Sequence, residues 1–595
     1  VSVASKKRSG EFLKVAGQFK LGSLFTEASH PITANLSEVA RQDTAVALKL
    51  LFDVDDDVIS AFRKFAESKR AGEIAGTIAE AVKSGGKIFF TGCGATGRLS
   101  ILLDSIWRDF WHQQKDPGLE NRAYSVMSGG DYALIKSVEG FEDFAAFGKK
   151  QVNDLGISER DVLFAITEGG ETSFVIGTAW AGVEAGAKVY FVYNNPDNIL
   201  CRHIERSREV ILDSRIEKIN LTTGPMAIAG STRMQATTIQ LCVMLTILEM
   251  VVQKLSRRKW QTVPGEFLKA LEELHAGLKT PETLAQLAGI VALEESVYRR
   301  NGKVNYFAGR FGIDVLTDTT ERSPTYCTPS FRKFDDAAAS DSWAFLFVPK
   351  KGTRVAWRHI LKRPPRCLEW SEGEIRRLVP GDNISRTVET IRKIGRKELI
   401  RFKIGLDGLP YRVLGRGDCA MAVVSGAEKR VLMSRNKPFS LGLQQARARE
   451  AQTAAIYFCQ PGGEQMPEDK SLTASAIIIL PQTDFLLDGI ARVAVKMVMN
   501  AISTCTMVRL GRVMGNMMIY VVPSNLKLID RATRYVNHLT GLPYGRANEL
   551  LFEVIEYIEP RMKSDRAYPP VVGMAVVRAR KKYSNKAAET FLQDS

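Results

Sequence analysis

Three stretches of this 595-residue sequence set hydroxyl residues among glycines in the way an anion needs. The first, TGCGATGRLS from Thr91, holds Gly92, Gly94 and Gly97 with Thr96 between them. The second, TEGGETS from Thr167, holds Gly169 and Gly170 with Thr167, Thr172 and Ser173 as hydroxyl donors. The third, GSTRM from Gly230, supplies Ser231 and Thr232. Glycines let backbone N–H groups approach a bound group, and a helix starting there adds the positive end of its dipole, so phosphate is the natural guest. The first loop is no Walker loop, because no Lys-Ser/Thr pair follows its last glycine; its G-x-G-x-x-G spacing is shared with dinucleotide binders. Those place an acid on the ribose about twenty residues on, and neither Asp109 nor Glu120 ends a convincing second strand. Carboxylates offer a different chemistry: EGFED brings Glu139, Glu142 and Asp143 together, and a protonated carboxyl there could donate a proton. The second loop is itself acidic. Glu168 and Glu171 beside a phosphate would repel it, so they either face solvent or select a less charged ligand.

Loops of this kind need strands and helices to carry them. A β-branched and aromatic run (residues 88–91) leads into the first loop, and Leu99, Leu102, Leu103, Ile106 and Phe110 then fall on one face at helical spacing. Residues 161–167 read as a strand before the second loop, with a helix after it and a further strand over 188–193. A helix with a strong apolar face runs from Ser231. Two anion loops on successive parallel strands converge at one end of a sheet, where α/β folds place their ligand. Upstream, Asn35 or Ser37 caps a helix carrying Val39, Val46 and Leu50 on one face, and a second helix spans 57–83. A short strand ending at Gly129-Gly130 is followed by a helical stretch.

Composition narrows the function further. Hydrophobic content of 45% and charged content of 25% are ordinary for a globular protein. No run of eighteen apolar residues predicts a membrane span, and the basic start VSVASKKRSGEF has no apolar stretch behind it, so a cytoplasmic protein is expected. The eight cysteines form no C-x-x-C pair and only six histidines are present, which predicts no metal site and free thiols. No cofactor motif is present. The net charge of +16 is densest over 349–366, where Lys350, Lys351, Arg354, Arg358, Lys362, Arg363 and Arg366 surround Trp357. Without a nucleic-acid-binding signature these read as solvated faces and anionic small ligands, rather than a DNA or RNA site.

The ordered series TGCGATGRLS, GGDYALIKSVEGFED, ITEGGETSFVIG and TTGPMAIAGSTRMQATT resembles the sugar isomerase (SIS) fold, in the group of N-acetylmuramic acid 6-phosphate etherases and the glucokinase regulatory protein. TEASHP near residue 26 and KMVMNAISTCTMVRLGRVMGNMMIYVVPSNLKL (496–528) extend the likeness. Later strand patterns (VNYFAGRFGIDVLTD, CAMAVVSG, AAIYFCQPGG, ASAIIILPQTD) read as a worn second copy. The resemblance implies an α/β protein with two tandem SIS domains, each a flavodoxin-like parallel sheet sandwiched by helices, plus a C-terminal α-helical lid. The expected division is 1–55 as an approach segment, 56–283 and 284–505 as the two domains, and 506–595 as the lid.

The same resemblance implies a phosphorylated sugar bound by Gly94, Thr96, Gly97, Thr167, Gly170, Thr172, Ser231, Thr232 and Lys496, with Glu139 and Glu142 on sugar hydroxyls. Etherases of this group use two glutamates. The second is kept as Glu142, which would be catalytic in an enzyme, and the first falls on Ile106, which cannot move a proton. A sensor or regulator without turnover is therefore expected, with a sugar kinase as the partner class. The competing expectation is a lyase acting on N-acetylmuramic acid 6-phosphate or an aldose-ketose isomerase.

Overall fold

The computed structural model describes residues 3–593 except 17–19, 139, 380–382, 429, 432–433, 435–436, 463–471, 524–525 and 564–568. Apolar runs bounded by glycine and polar turns form two five-stranded sheets, and every strand in both is parallel to its neighbours. The first holds β1 (Ile88–Gly92), β2 (Ala123–Met127), β3 (Val162–Ile166), β4 (Lys188–Tyr193) and β5 (Ile216–Asn220) in the order β2-β1-β3-β4-β5. The second holds β6 (Val304–Ala308), β7 (Ala344–Phe347), β8 (Cys419–Ser425), β9 (Gln452–Cys459) and β10 (Ala474–Ile479) in the order β10-β9-β8-β6-β7. Read from the other edge, the second sheet repeats the order of the first. β1, β3, β6 and β8 are buried along their whole length, as parallel strands covered on both faces must be.

The helix Ala95–Gln113 follows the first loop with Leu99, Leu102, Leu103, Ile106 and Phe110 all buried. The helix Gly489–Arg509 packs on Gln235–Leu255, on Pro281–Arg299 and on Gly312–Tyr326, so one element joins both halves. Helices Leu526–Thr540, Tyr544–Lys563, Val571–Lys581 and Asn585–Gln593 make the C-terminal region, and the N-terminal helix Val3–Val15 packs on Tyr544–Lys563. The protein is thus α/β with a helical C-terminal region.

Several local expectations differ from what forms. The helix over 57–83 is two helices, Asp56–Ala66 and Arg70–Lys83. Ser68 ends the first by donating to Phe65 O, and its hydroxyl then accepts from Arg70 N, the local competition by which serine breaks helices. Upstream, the helix divides at Asp43, whose carboxylate caps Thr44–Asp53 by accepting from Ala45 N and Val46 N. Val46 is consequently exposed, and Leu36, Leu48 and Leu51 face the core. Only a 3-10 turn, Asp131–Leu134, follows Gly129-Gly130. The third-turn helix begins at Gln235, four residues after Ser231, because the Gln235 side chain bonds Ala227 N and Pro225 O and holds the preceding chain irregular. The basic stretch is no uniform solvated face: Trp357 and Arg363 are buried, and Arg363 pairs with Asp104 and Asp131 of the first half.

Candidate functional site

β1 and β3 are neighbours, with Thr91 opposite Ala165, and the strand order reverses between them. The crevice beyond their carboxyl ends is where parallel sheets place ligands, and both glycine loops open there. In the first, Gly94 has φ 58° and open space where a side chain would project. The Thr96 hydroxyl accepts from Cys93 N and donates to Cys93 O, each at 3.0 Å. Thr96 is buried, so that hydroxyl shapes the loop and Gly94 presents its open side. Gly97 is pressed on Met127 of β2.

The second loop is knitted by its own hydroxyls. Thr167 Oγ1 accepts from Gly170 N at 3.2 Å and shares a hydrogen bond with Thr172 Oγ1 at 3.2 Å. Asn195 donates to Gly169 O and Ser207 to Gly170 O. The two acidic residues do not face solvent: Glu168 is 9% and Glu171 6% exposed. Burial, with the Glu321 and Glu171 carboxylates nearby, pushes the Glu168 carboxyl up to about 8, so it is mostly neutral at pH 7. Burial also acts on Glu171, but its ion pair with Lys527 and the charge of Arg206 outweigh it and hold the group below the usual carboxylate range. The repulsion implied by two loop carboxylates reduces to one charge, and that charge is paired.

The helix Leu526–Thr540 closes the side of the crevice. Lys527 Nζ reaches Glu171 Oε1 at 2.6 Å. Tyr535 donates to Ala229 O, beside the third turn. Gly230, at φ 70°, lies so close to this helix that a Cβ would stand 2.6 Å from Tyr535 Oη. Arg531 and Arg534 grip Glu27 of the TEASHP stretch, and burial notwithstanding, the two guanidiniums hold the Glu27 carboxyl at about 2. Ser231 is buried, Thr232 partly so, and Thr232 O accepts from Thr237 N and Oγ1. Lys496 lies behind this turn: its ammonium donates to Arg233 O, Met234 O and Thr238 Oγ1, which uses all three donors. The lysine delivered to the loops is therefore Lys527.

Glu142 is exposed on a 3-10 turn, with Oε2 3.8 Å from Cys93 Sγ at the first loop. Glu139 lies outside the described residues. Ile106 sits in the apolar face of its helix, 3% exposed. A cavity behind the loops is lined by Arg98, Arg233, Asp318, Glu321 and Lys496 from both halves, and Arg98 Nη1 lies 3.8 Å from Glu321. Sequence reasoning missed Lys527, Glu27, Arg531 and Glu321. Lys527 lies within the SNLKL run of the resemblance, and Glu27 is the acid of TEASHP; no local pattern marks Arg531 or Glu321.

The corresponding loops of the second copy are filled from within. Glu428 Oε1 accepts from Arg310 N at 2.8 Å, and Oε2 accepts from Ser425 N at 3.1 Å and Ser425 Oγ at 3.2 Å. Glu428 follows β8 as Glu171 follows β3, and its carboxylate fills the loops of the second copy.

The family model of the glucokinase regulatory protein N-terminal SIS domain matches residues 72–181. N-acetylmuramic acid 6-phosphate etherase of Clostridioides difficile is 30% identical over 234 residues, which is 39% of this chain and 70% of that protein. The etherase of Deinococcus radiodurans is 31% identical over 237 residues, 39% of this chain and 69% of its own. Among solved structures, the C-terminal domain of glucosamine-fructose-6-phosphate aminotransferase from Francisella tularensis aligns at a TM-score of 0.43 and 12% identity, over 79% of this chain and 96% of that one. Two parallel sheets of one strand order, with glycine loops at the reversal point, define a tandem doubly wound α/β protein. The chain belongs to the SIS-domain family, in the group of the N-acetylmuramic acid 6-phosphate etherases and the glucokinase regulatory protein.

Proposed function

We propose that the protein binds a phosphorylated sugar in the crevice between β1 and β3 and acts as a sensor or regulator without turnover. The phosphoryl group meets the second loop and Lys527, and the sugar meets the first loop, with Glu142 as a hydroxyl acceptor. The observation that carries the absence of turnover is Ile106: the place of the first etherase glutamate is an apolar residue packed in a helix face, with no proton to give or take. Removing one member of an acid/base pair costs about 10²–10⁴ in rate. A sugar kinase is the partner class that the family likeness supports. Titration calorimetry with fructose 6-phosphate, fructose 1-phosphate, glucosamine 6-phosphate and N-acetylmuramic acid 6-phosphate, with each mixture followed by NMR, tests the reading. Saturable binding without product is expected; released lactate or interconverted sugar phosphates would refute it.

One observation favours a second reading, a lyase or isomerase. Glu168 is a buried carboxyl that keeps its proton near neutral pH, and it shares with Glu142 the surroundings of Cys93. Two carboxyls in unlike environments are the pattern of an acid/base pair. On this reading Glu168→Gln abolishes product formation, whereas on the first there is no product to lose.

A further inference from the structure

The second loop carries an anion of its own. Glu171 lies at the start of the helix Ser173–Glu184 and folds back over the loop, so that a Cβ built on Gly169 would stand 1.9 Å from Glu171 Oε2. Its two oxygens fare differently. Oε1 accepts from Lys527 Nζ at 2.6 Å, whereas Oε2 is buried with no hydrogen-bond partner. A buried acceptor without a donor is costly, and a carboxylate more so than a neutral group.

Glu428 shows what a settled internal anion looks like in the same fold. It stands at the corresponding position after β8 and reaches across to the loop after β6, where a Cβ on Gly309 would stand 2.3 Å from its Oε1. Both its oxygens are satisfied, by two backbone amides and one hydroxyl drawn from the loop after β6 and the end of β8. Nothing there is left for an incoming anion to gain. In the first copy the carboxylate is held on one side by a lysine from a distant helix and is unmatched on the other. The Thr167 and Thr172 hydroxyls bond each other, and neither bonds Glu171. The position is filled, and the filling is poorly matched.

We propose that Glu171 is a displaceable internal anion: its carboxylate occupies the second loop and engages Lys527, and a phosphoryl group enters by exchanging with it. The identity of the ligand as a sugar phosphate rests on the function proposed above; the exchange itself rests only on the loop geometry. Lys527 passes from one anion to the other without losing its ion pair, while the Glu171 side chain moves out to solvent. Glu171 is then the residue that sets phosphate affinity, because apparent affinity falls by the fraction of molecules in which the competent arrangement is populated.

The test uses the full chain with inorganic phosphate and, separately, fructose 6-phosphate, titrated calorimetrically into wild type, Glu171→Gln, Glu171→Ala and Glu171→Gln/Lys527→Met. Near-UV circular dichroism checks that each variant is folded, and the alanine variant stands in if the glutamine variant is not. The expected result is a gain of at least about tenfold in phosphate affinity on removing the charge, abolished when Lys527 is also removed. Equal or weaker phosphate binding by both Glu171 variants, including no binding at all, overturns the exchange. The two readings separate cleanly. Tight fructose 6-phosphate binding that Glu171→Gln does not improve refutes the exchange and leaves the sugar-phosphate site standing. A gain for inorganic phosphate with no added affinity for the sugar phosphate supports the exchange and refutes the sugar reading.

Discussion

Thr167 shows how much one hydroxyl holds. It takes the Gly170 amide and meets the Thr172 hydroxyl, so it fixes the shape of the second loop before any ligand arrives. Thr167→Ala leaves a buried amide without its acceptor, and sugar-phosphate affinity is expected to fall about tenfold, the equivalent of one net hydrogen bond; titration calorimetry reads it. Thr96→Ala and Ser231→Ala should act in the same direction, and unchanged affinity in all three would remove these loops from the site. Glu168 makes a different prediction. Its folded pKa, about 8, lies above the unfolded value near 4.5, so between those values the folded state binds more protons and stability falls as pH rises. Glu168→Gln should flatten that decline between about pH 5 and 8 in thermal melts. The hydroxyls and glycines of the loops were legible in the sequence because loop chemistry is local. The lysine was not: Lys496 and Lys527 both lie in the C-terminal stretch that resembles the etherases, and only the packing decides that one caps the Arg233–Met234 turn while the other reaches Glu171.

At the scale of elements, two charge clamps set how the pieces meet. Glu27 joins the TEASHP stretch to the helix Leu526–Thr540 through Arg531 and Arg534. Its folded pKa of about 2 lies below the ordinary 4.5, so the clamp is fully present above pH 4.5 and is lost as pH falls toward 2, a contribution on the order of 3 kcal/mol. Glu27→Gln should remove that acid-side loss and lower the melting temperature at pH 7. The second clamp is Arg363, which pairs with Asp104 and Asp131 and donates to Ser125 Oγ across the two halves. Arg363→Met takes from Asp131 its ion pair and from Asp104 one of its arginines, and a loss of about 3–5 kcal/mol in denaturant unfolding is expected. Strands such as β1, β3, β6 and β8 could be read from their apolar runs, since both sheet faces are covered. β7 was not read, because AFLF is four residues long with no glycine loop after it. The Arg363 clamp was unreadable for a further reason: within a basic run nothing local separates the one arginine that turns inward from its solvated neighbours.

For the whole molecule, the helix Gly489–Arg509 decides cooperativity. It packs on helices that belong to both sheets, so neither half has a complete core without it. A single calorimetric transition is expected from the full chain, and two separable transitions would contradict this account. The net charge of +16 is densest over 349–366, and Arg363 there is buried in pairs with Asp104 and Asp131, so that cluster offers a polyanion fewer cations than its sequence suggests. Any binding to duplex DNA or RNA should therefore be weak and vanish steeply with salt.

The helix Gln235–Leu255 is long and apolar enough to cross a membrane, and its apolar stretch is buried inside the protein. Part of what covers it is Gly489–Arg509, which leaves the ribosome long after it; at about 5–20 residues per second the wait is on the order of ten seconds or more. During that interval a greasy cylinder of membrane-spanning length has no partner on one flank. A nascent chain stalled before residue 489 should recruit chaperones or the insertion machinery, and a recombinant fragment covering residues 56–283 alone should aggregate where the full chain does not.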